Sequence, residues 1–509
     1  MATDRFKLTY IGAGSFRFSI GLFRNIVNAQ DLMPMEVDLC DIDEKSLDIM
    51  TKILNRMVDK ASRLLGYDRS KIKITAHKDY HEALENADFV YKSISVGLQK
   101  AEWFDNYLPL KFGIPQNTGD TCGPGGLFRG LRTNPVAADI AKTMNKVCPK
   151  ATILNYTNPQ ASIVMAARTM APDVQFIGLC HELFGGSRAL KKYANKYLGL
   201  GLNKWQDLDL EYGGINHFAW YTKIGYNGKD LYPQLRQDAH KLMKKKLGRR
   251  GFNFHLLEKY NYFPYPGSRH IAEFLTDYYN IFNQYIQSRY WHFPYIRSVY
   301  FLDKRRKHVY RGFQKMANGK KDVPGPQKEG EHAMEMTIDW RDSNRNRHVV
   351  NIPNTHPDYA KIIPQLPDDC IVEVPGFFKG QKILPVKTID LPDQVADLIR
   401  PHAEQTRYTV DAALGNDLDL CVKAMQHDPM ANWIEDDDKL EYLTKLMLYY
   451  QQEWLPEEWK DWIPKKEDLE KHKWWVSKKD LSVLFWRYRR VPFKPKKALK
   501  SKAFFWNKQ

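Results

Sequence analysis

Through the first two hundred residues, short apolar runs alternate with helical periodicities. Leu8-Thr9-Tyr10-Ile11 ends at Gly12-Ala13-Gly14-Ser15, and apolar residues then recur at Ile20, Leu22, Phe23 and Ile26. That is a strand, a turn and a helix. Residues 37–43 read as a second strand ending in acids, and residues 44–65 as a long helix. Residues 72–74, 87–95, 151–155 and 174–180 are further strand-like runs, the last two separated by a helical pattern. Strands and helices in alternation predict a parallel, doubly wound sheet. From about Gly225 the pattern loosens. Residues 318–326 form a loop, 370–374 a strand, and helical patterns dominate residues 391–454.

With 509 residues and 43% hydrophobic content, the chain can bury a large core in one big domain or two intimate ones. No apolar run approaches the roughly 20 residues of a membrane span, and residues 1–7 carry no signal-peptide pattern. The six cysteines show no paired spacing, which predicts a reduced, cytoplasmic setting. A formal charge of +17 ordinarily raises nucleic acid as a partner. Its distribution argues otherwise, because residues 465–509 hold 15 Lys and Arg against 4 acids, so that +11 of the total sits in the tail. The tail also carries Trp474-Trp475, Phe485-Trp486 and Phe504-Phe505-Trp506. Packing on its own body or on a sister subunit is the expectation there, in preference to binding RNA or acidic polysaccharide.

The opening turn, Gly12-x-Gly14-x-x-Arg17, lacks the third glycine of the dinucleotide fingerprint, and Asp41 lies 27 residues past Gly14. The setting strengthens it: a strand before, a helix after, and an acid at the end of the next strand. Such a turn seats a pyrophosphate on the helix N-terminus while Asp41 accepts from the adenosine ribose hydroxyls, which favours NAD over NADP. Residues 119–132 read as a glycine-rich turn that bares backbone N–H groups, with Asp120 near its start and Arg129 and Arg132 after the glycines. It suits a polyhydroxylated or anionic ligand. Asn155-Tyr156-Thr157-Asn158-Pro159 and Cys180-His181-Glu182 each follow a strand, where ligands bind in such folds. Asn216-His217 ends a glycine pair, and Gly267-Ser268-Arg269-His270 precedes Ile271-Ala272-Glu273-Phe274. Cys180 and His217 can supply one thiolate and one imidazole to a divalent metal with open positions. Taken singly, each also reads as an ordinary structural residue.

These residues carry a resemblance. Ile11-Gly12-Ala13-Gly14-Ser15, Gly119-Asp120-Thr121-x-Gly123-Pro124-Gly125-Gly126, Asn155 to Pro159, Cys180-His181-Glu182, Gly214-Ile215-Asn216-His217, Leu366-Pro367 and Val372-Glu373-Val374 resemble, in this order, the NAD- and manganese-dependent glycosidases of glycoside hydrolase family 4. Cys180 to Gly185 and Arg269-His270-x-x-Glu273-Phe274 look most like its α-galacturonidase branch. The resemblance implies a Rossmann-like sheet in residues 1–200, an α+β catalytic and oligomerisation region in 201–460, and a basic aromatic extension in 461–509. It implies redox-neutral cleavage, an exception to two-carboxylate glycoside hydrolysis: NAD oxidises sugar C3, a base takes the C2 proton, the C1–O bond breaks by elimination, and NADH returns the hydride. By motif, Cys180 and His217 would hold Mn²⁺ or another divalent metal. Asp120 would protonate the leaving group, and Asn155, Asn158 and Glu182 would bind sugar hydroxyls. Gly12, Gly14, Ser15 and Asp41 would bind NAD, with Phe16, Ser95 and Asn155 at the same edge. A homodimer or homotetramer is expected.

One departure matters. The galacturonidase branch resembles Gly-Asp-Arg-His where this chain has Gly267-Ser268-Arg269-His270, so a carboxylate base is missing. Other branches have serine there and use a tyrosine, which points to Tyr262, with Tyr265 next. Arg269, His270 and Arg132 supply cations that suit an acidic sugar such as an α-galacturonide; a sulfonated sugar or a glucuronide fits the same charge. Other expectations are an α-glucosidase or α-galactosidase, a plain NAD-dependent sugar dehydrogenase, and an inactive sugar- or nucleotide-binding sensor.

Overall fold

The computed structural model describes residues 5–114, 116, 118–244, 250–275, 299–327, 332–356 and 360–480. The aromatic clusters at 485–486 and 504–506 lie outside them.

Six parallel strands build the first half: β1 (Phe6–Ile11), β2 (Met35–Cys40), β3 (Ile72–His77), β4 (Phe89–Lys92), β5 (Thr152–Asn155) and β6 (Gln175–Gly178). Their order is β3-β2-β1-β4-β5-β6, the doubly wound arrangement expected from the alternation. The order reverses between β1 and β4, which opens a crevice at the carboxyl ends of the strands. β4, β5 and β6 are shorter than their apolar runs, and β2 ends at Cys40, before the acids of its run. The polar clusters at 41–43, 93–95, 155–158 and 180–182 therefore stand at or beyond the strand ends, on that one edge.

Helix α1 (Ser19–Ile26) follows the Gly12 turn, and α2 (Glu44–Leu65) starts at Asp43, whose side chain accepts from the N–H groups of Lys45 and Ser46. Helix α3 (Gly123–Val147) corrects the reading of 119–132 as a glycine-rich turn. Pro124, with its pre-set φ, starts the helix inside that stretch. A Cβ on Gly125 would sit 2.7 Å from the Asp105 carbonyl oxygen, and one on Gly126 would sit 2.5 Å from the Thr121 backbone. These glycines let the helix seat against backbone; Asp120 and Thr121 stand just before it.

Helices α4 (Gln160–Met170) and α5 (Glu182–Tyr197) follow β5 and β6. The sheet then continues without a break. β7 (Asp209–Ile215), β8 (Phe218–Tyr226), β9 (Lys229–Asp230), β10 (Phe263–Pro264), β11 (His348–Pro353), β12 (Ile371–Lys379) and β13 (Lys382–Pro385) add to it in antiparallel pairing. The junction is Asn351 of β11 opposite Gly178 of β6. A one-turn helix α6 (Ser268–Ile271), α7 (Val299–Ala317) and α8 (Asp393–Gly415) complete the elements used below. One hydrophobic cluster joins both halves, from Leu8 and Leu154 to Phe218, Val374 and Leu446. Among the described residues, no helix is long and apolar enough to cross a membrane.

Candidate active site

The nucleotide turn is built by close approach. Gly12 has φ +89°, and a Cβ there would fall 2.2 Å from the Ser93 carbonyl oxygen. The N–H groups of Gly12 and Ala13 both donate to the Cys40 carbonyl, which binds the turn to the end of β2. Asp41 accepts from the Gly14 N–H at 2.8 Å and from the Asp43 N–H at 2.9 Å. Burial raises its pKa against these two bonds. Phe16 packs edge-on to Tyr310 and Phe313 of α7, with Arg306 over its ring. Ser95 is exposed just past β4.

At the other side of the switch point, four segments converge. Ligand atoms of Asp120, His217 and His270 lie within 4.8 Å of one another. His217 sits in the tight connection between β7 and β8, and its ring stacks on that of His270 with centroids 4.3 Å apart. The Thr121 hydroxyl donates to Asp120 Oδ1 at 2.8 Å and lies 3.1 Å from His217 Nδ1. Asn158 Nδ2 donates to the other Asp120 oxygen at 3.3 Å. Glu182 opens α5; its Oε2 accepts the Gly267 N–H at 2.7 Å and its Oε1 is 3.7 Å from His270 Nε2. Cys180 is buried, with Sγ accepting the Glu182 N–H at 3.5 Å. Arg269 is half-buried beside His270, its guanidinium 3.4 Å from Nε2.

Burial drives the charge states. It lowers the His217 pKa to about 3 and moves that of His270 down as well, so both imidazoles are neutral at neutral pH with lone pairs to offer. Burial opposes the charge of Asp120, but His270, Arg129, His217 and the Thr121 hydroxyl outweigh it and hold the carboxyl well below its ordinary value. Burial opposes Glu182 too, and His270, His217 and the Gly267 N–H bring it down to about 2. Two ionised carboxylates beside two neutral imidazoles form a donor set that fits a hard-to-borderline divalent cation. Burial and two nearby carboxylates push the Cys180 thiol well up, so only a cation beside it would draw off its proton.

Residues 7–196 match the family 4 glycosyl hydrolase, and residues 212–431 match the family 4 glycosyl hydrolase C-terminal domain. The chain belongs to glycosyl hydrolase family 4. It is 30% identical to an alpha-galacturonidase of Thermoanaerobacter italicus over 85% of this chain and 93% of that one. It is 29% identical to an alpha-galactosidase of Bacillus subtilis over 83% and 93%. A solved Bacillus subtilis structure assigned as the glucosidase lplD superposes with a TM-score of 0.78 at 27% identity, covering 87% of this chain and 100% of that one. A 6-phospho-alpha-glucosidase from gut microorganisms, solved with NAD and Mn²⁺, has a TM-score of 0.72 at 21% identity, covering 89% and 99%, and shares the fold.

The structure of this family 4 hydrolase redirects four residues singled out from sequence. Arg132 is buried in α3, and its guanidinium makes a two-pronged pair with Asp105 at 3.0 and 2.7 Å and bonds Gln451. That makes it a core ion pair and not a substrate contact. Asn155 is wholly buried; its amide donates to the Thr157 carbonyl and Gln160, and its oxygen accepts from Lys92 and Thr157. Those bonds use its side chain to hold the loop, leaving none for NAD or sugar. Tyr262 packs edge-on to Tyr232 and lies under Arg236, and none of its described contacts reaches Asp120, His217 or His270. Tyr265 is fully buried and donates to Glu373. Burial and that carboxylate push its pKa well above 10, the reverse of what a base requires.

Sequence reasoning missed three residues. Thr121 bridges Asp120 and His217. Glu273 accepts the N–H groups of Thr118 and Gly119 and so fixes the loop that presents Asp120. Glu373, on β12, gathers Tyr265, Asn216 at 2.8 Å and Asn351 at 2.9 Å beneath the cluster. Glu273 and Glu373 both stand in quoted motifs. The pairing of Glu273 with Thr118 and Gly119, and of Glu373 with Asn216, spans more than 150 residues and left no local signal. Ser268 is buried and donates to Asn253 Oδ1 at 2.6 Å, which makes it part of the wall.

Proposed function

We propose that this hydrolase cleaves α-glycosides of an acidic sugar, an α-galacturonide first among them, with NAD and a divalent metal such as Mn²⁺ as cofactors. The observation that carries the charge preference is Arg269, a half-buried cation beside the reactive cluster that forms no ion pair among the described residues. A carboxylate on the sugar would complete it by a charge-assisted, two-pronged bond. The relatives named alpha-galacturonidase support the same reading.

NAD, when bound, supplies reversible hydride acceptance at sugar C3, and the metal supplies a positive charge for the sugar oxygens. The Gly12–Gly14 turn and Asp41 would seat the nucleotide. Cys180 and His217 would hold the metal, with Asp120 and His270 facing the same space. Asp120 is held ionised, so it must take up a proton before it can give one to a leaving group. Glu182 and Asn158 would orient hydroxyls. The chain is further taken to assemble as a dimer or tetramer; a sedimentation value fixed at the 59.6 kDa monomer would overturn that.

The test is a panel of aryl α-galacturonide, α-galactoside and α-glucoside, with NAD and Mn²⁺ present and then each omitted. Turnover of the galacturonide that needs both cofactors, without net NADH, is the expected result. Preference for a neutral glycoside would move the substrate. NADH accumulating with product would make the protein a dehydrogenase. Nucleotide binding with no turnover of any glycoside would make it a sensor.

A further inference from the structure

Two arginines follow the glycines of α3, and their surroundings differ. Arg132 is consumed by Asp105. Arg129, one turn earlier, is half-buried and makes a single side-chain hydrogen bond among the described residues, from Nε to the Asn158 carbonyl at 3.0 Å. It forms no ion pair with any described carboxylate. That bond uses one edge of the guanidinium and leaves the other N–H groups without a described partner. Asn158 in turn donates from its side chain to Asp120. Arg129 therefore stands one residue behind the carboxylate at the centre of the cluster.

Its electrostatic setting is unbalanced. The first turn of α3 holds no acid of its own, and the Gly123 N–H at its start donates to Asp428 at 2.7 Å, so that helix end already has its carboxylate and Arg129 does not. Lys92 at the end of β4 is wholly buried, and its ammonium nitrogen has Asn155 Oδ1, at 3.1 Å, as its described partner. Burial, with the charge of Arg129 adding to it, lowers the Lys92 pKa to about 7. A guanidinium with one open edge and a buried amine thus share one wall of the site. Of the carboxylates around it, Asp105 is paired with Arg132, Asp428 caps α3, and Asp120 is held by Thr121 and Asn158. Buried cations are stable when an anion or a set of acceptors completes them.

We propose that Arg129 is a specificity-determining residue: its open guanidinium edge receives the carboxylate of an acidic sugar from the α3 wall of the site. The inference rests on the acidic-glycoside reading above and names a residue for it. Arg269 reaches the cluster from α6, so the two arginines approach from different elements.

The test is calorimetric titration of the holoprotein, loaded with NAD and Mn²⁺, with D-galacturonate and with D-galactose. Wild type, R129Q and R129K are compared. Loss of a charged hydrogen-bond pair predicts that R129Q weakens galacturonate binding by about tenfold to a hundredfold, with galactose changed less than about twofold. R129K keeps the charge but not the planar fork and falls between them. Equal losses on both sugars would mean that Arg129 only positions Asn158, and would overturn the inference. Unchanged galacturonate binding in R129Q would overturn it as well. A wild-type protein that binds galactose and not galacturonate, or neither, would overturn the acidic-glycoside reading itself. Should R129Q fail to fold, R129K carries the same comparison alone.

Discussion

At the scale of single residues, the decisive question is which charges have partners. Arg132 and Asp105 are enclosed, with side chains 1% and 0% exposed. Replacing Arg132 with Met strands a buried acid, and breaking such a pair costs several kcal/mol. Burial already outweighs Arg132 at Asp105 and holds its pKa above the ordinary value, so the variant acid can take up a proton and limit the loss. R132M is expected to lose about 3 kcal/mol in urea unfolding, with the ratio of galacturonide to galactoside kcat/KM unchanged. Arg269 is the contrasting case. R269A should lower kcat/KM for the acidic glycoside by about tenfold or more and leave the neutral one nearly untouched. Matching losses on both would show Arg269 to be structural. Sequence alone singled out Glu182, Cys180 and His217 because each follows a strand or a glycine pair, and Asp120 because it precedes a glycine-rich stretch; the roles given to them came from the family resemblance and belong to the proposal. It did not separate Arg129 from Arg132. Their difference is made by Asp105, which comes from another element, and a glycine-rich stretch looks the same whether it is a turn or the start of a helix. The tyrosines failed for the same reason: burial of Tyr265 against Glu373 is set by β12, more than a hundred residues away.

At the scale of elements, two joints hold the site in place. The first is the contact of the β1–α1 turn with the end of β4. Gly12→Ala would put a side chain in the left-handed region, which costs about 1–2 kcal/mol, and would also drive Cβ into the Ser93 carbonyl. The turn must shift, and NAD binding followed by tryptophan fluorescence should be lost while far-ultraviolet dichroism is retained. Normal NAD affinity in G12A would contradict the placement of the nucleotide there. The second joint is His402 of α8, whose Nε2 lies 2.7 Å from the Phe274 carbonyl beside the cluster. Burial lowers its pKa to about 4, against the helping carbonyl. A lowered folded value means that the unfolded chain binds the extra proton first. The stability from neutral His402 is then fully present above the unfolded pKa near 6.5. It is lost as the pH falls through about 4. The full span is worth about 3 kcal/mol. Unfolding free energies measured at pH 7, 5 and 4 should show this decline, and H402Q should flatten it. An unchanged slope in the variant would assign the acid limb to other groups.

At the scale of the whole molecule, the alternation of strands and helices foretold the parallel half of the sheet and its nucleotide edge. It did not foretell that the later strands extend the same sheet. Antiparallel pairing through one register contact, Asn351 with Gly178, leaves no periodic mark, and a glycine in β6 serves it by close approach: a Cβ there would meet Asn351 at 2.9 Å. The consequence is mechanical. Cys180 follows β6 in the first half and His217 follows β7 in the second, so the geometry between them is set by strands of one sheet and not by a hinge. The hydrophobic cluster that runs from Leu8 to Leu446 crosses the same boundary. Cooperativity follows from shared burial, because neither half can expose its part of that cluster without exposing the other's. The described chain should therefore unfold in one transition, with nucleotide-site fluorescence, far-ultraviolet dichroism and calorimetry giving the same midpoint and a van't Hoff enthalpy close to the calorimetric one. Two resolved transitions, with nucleotide binding surviving the first, would show instead that residues 1–200 form an independent unit and that the cluster between Asp120, His217 and His270 is assembled by docking.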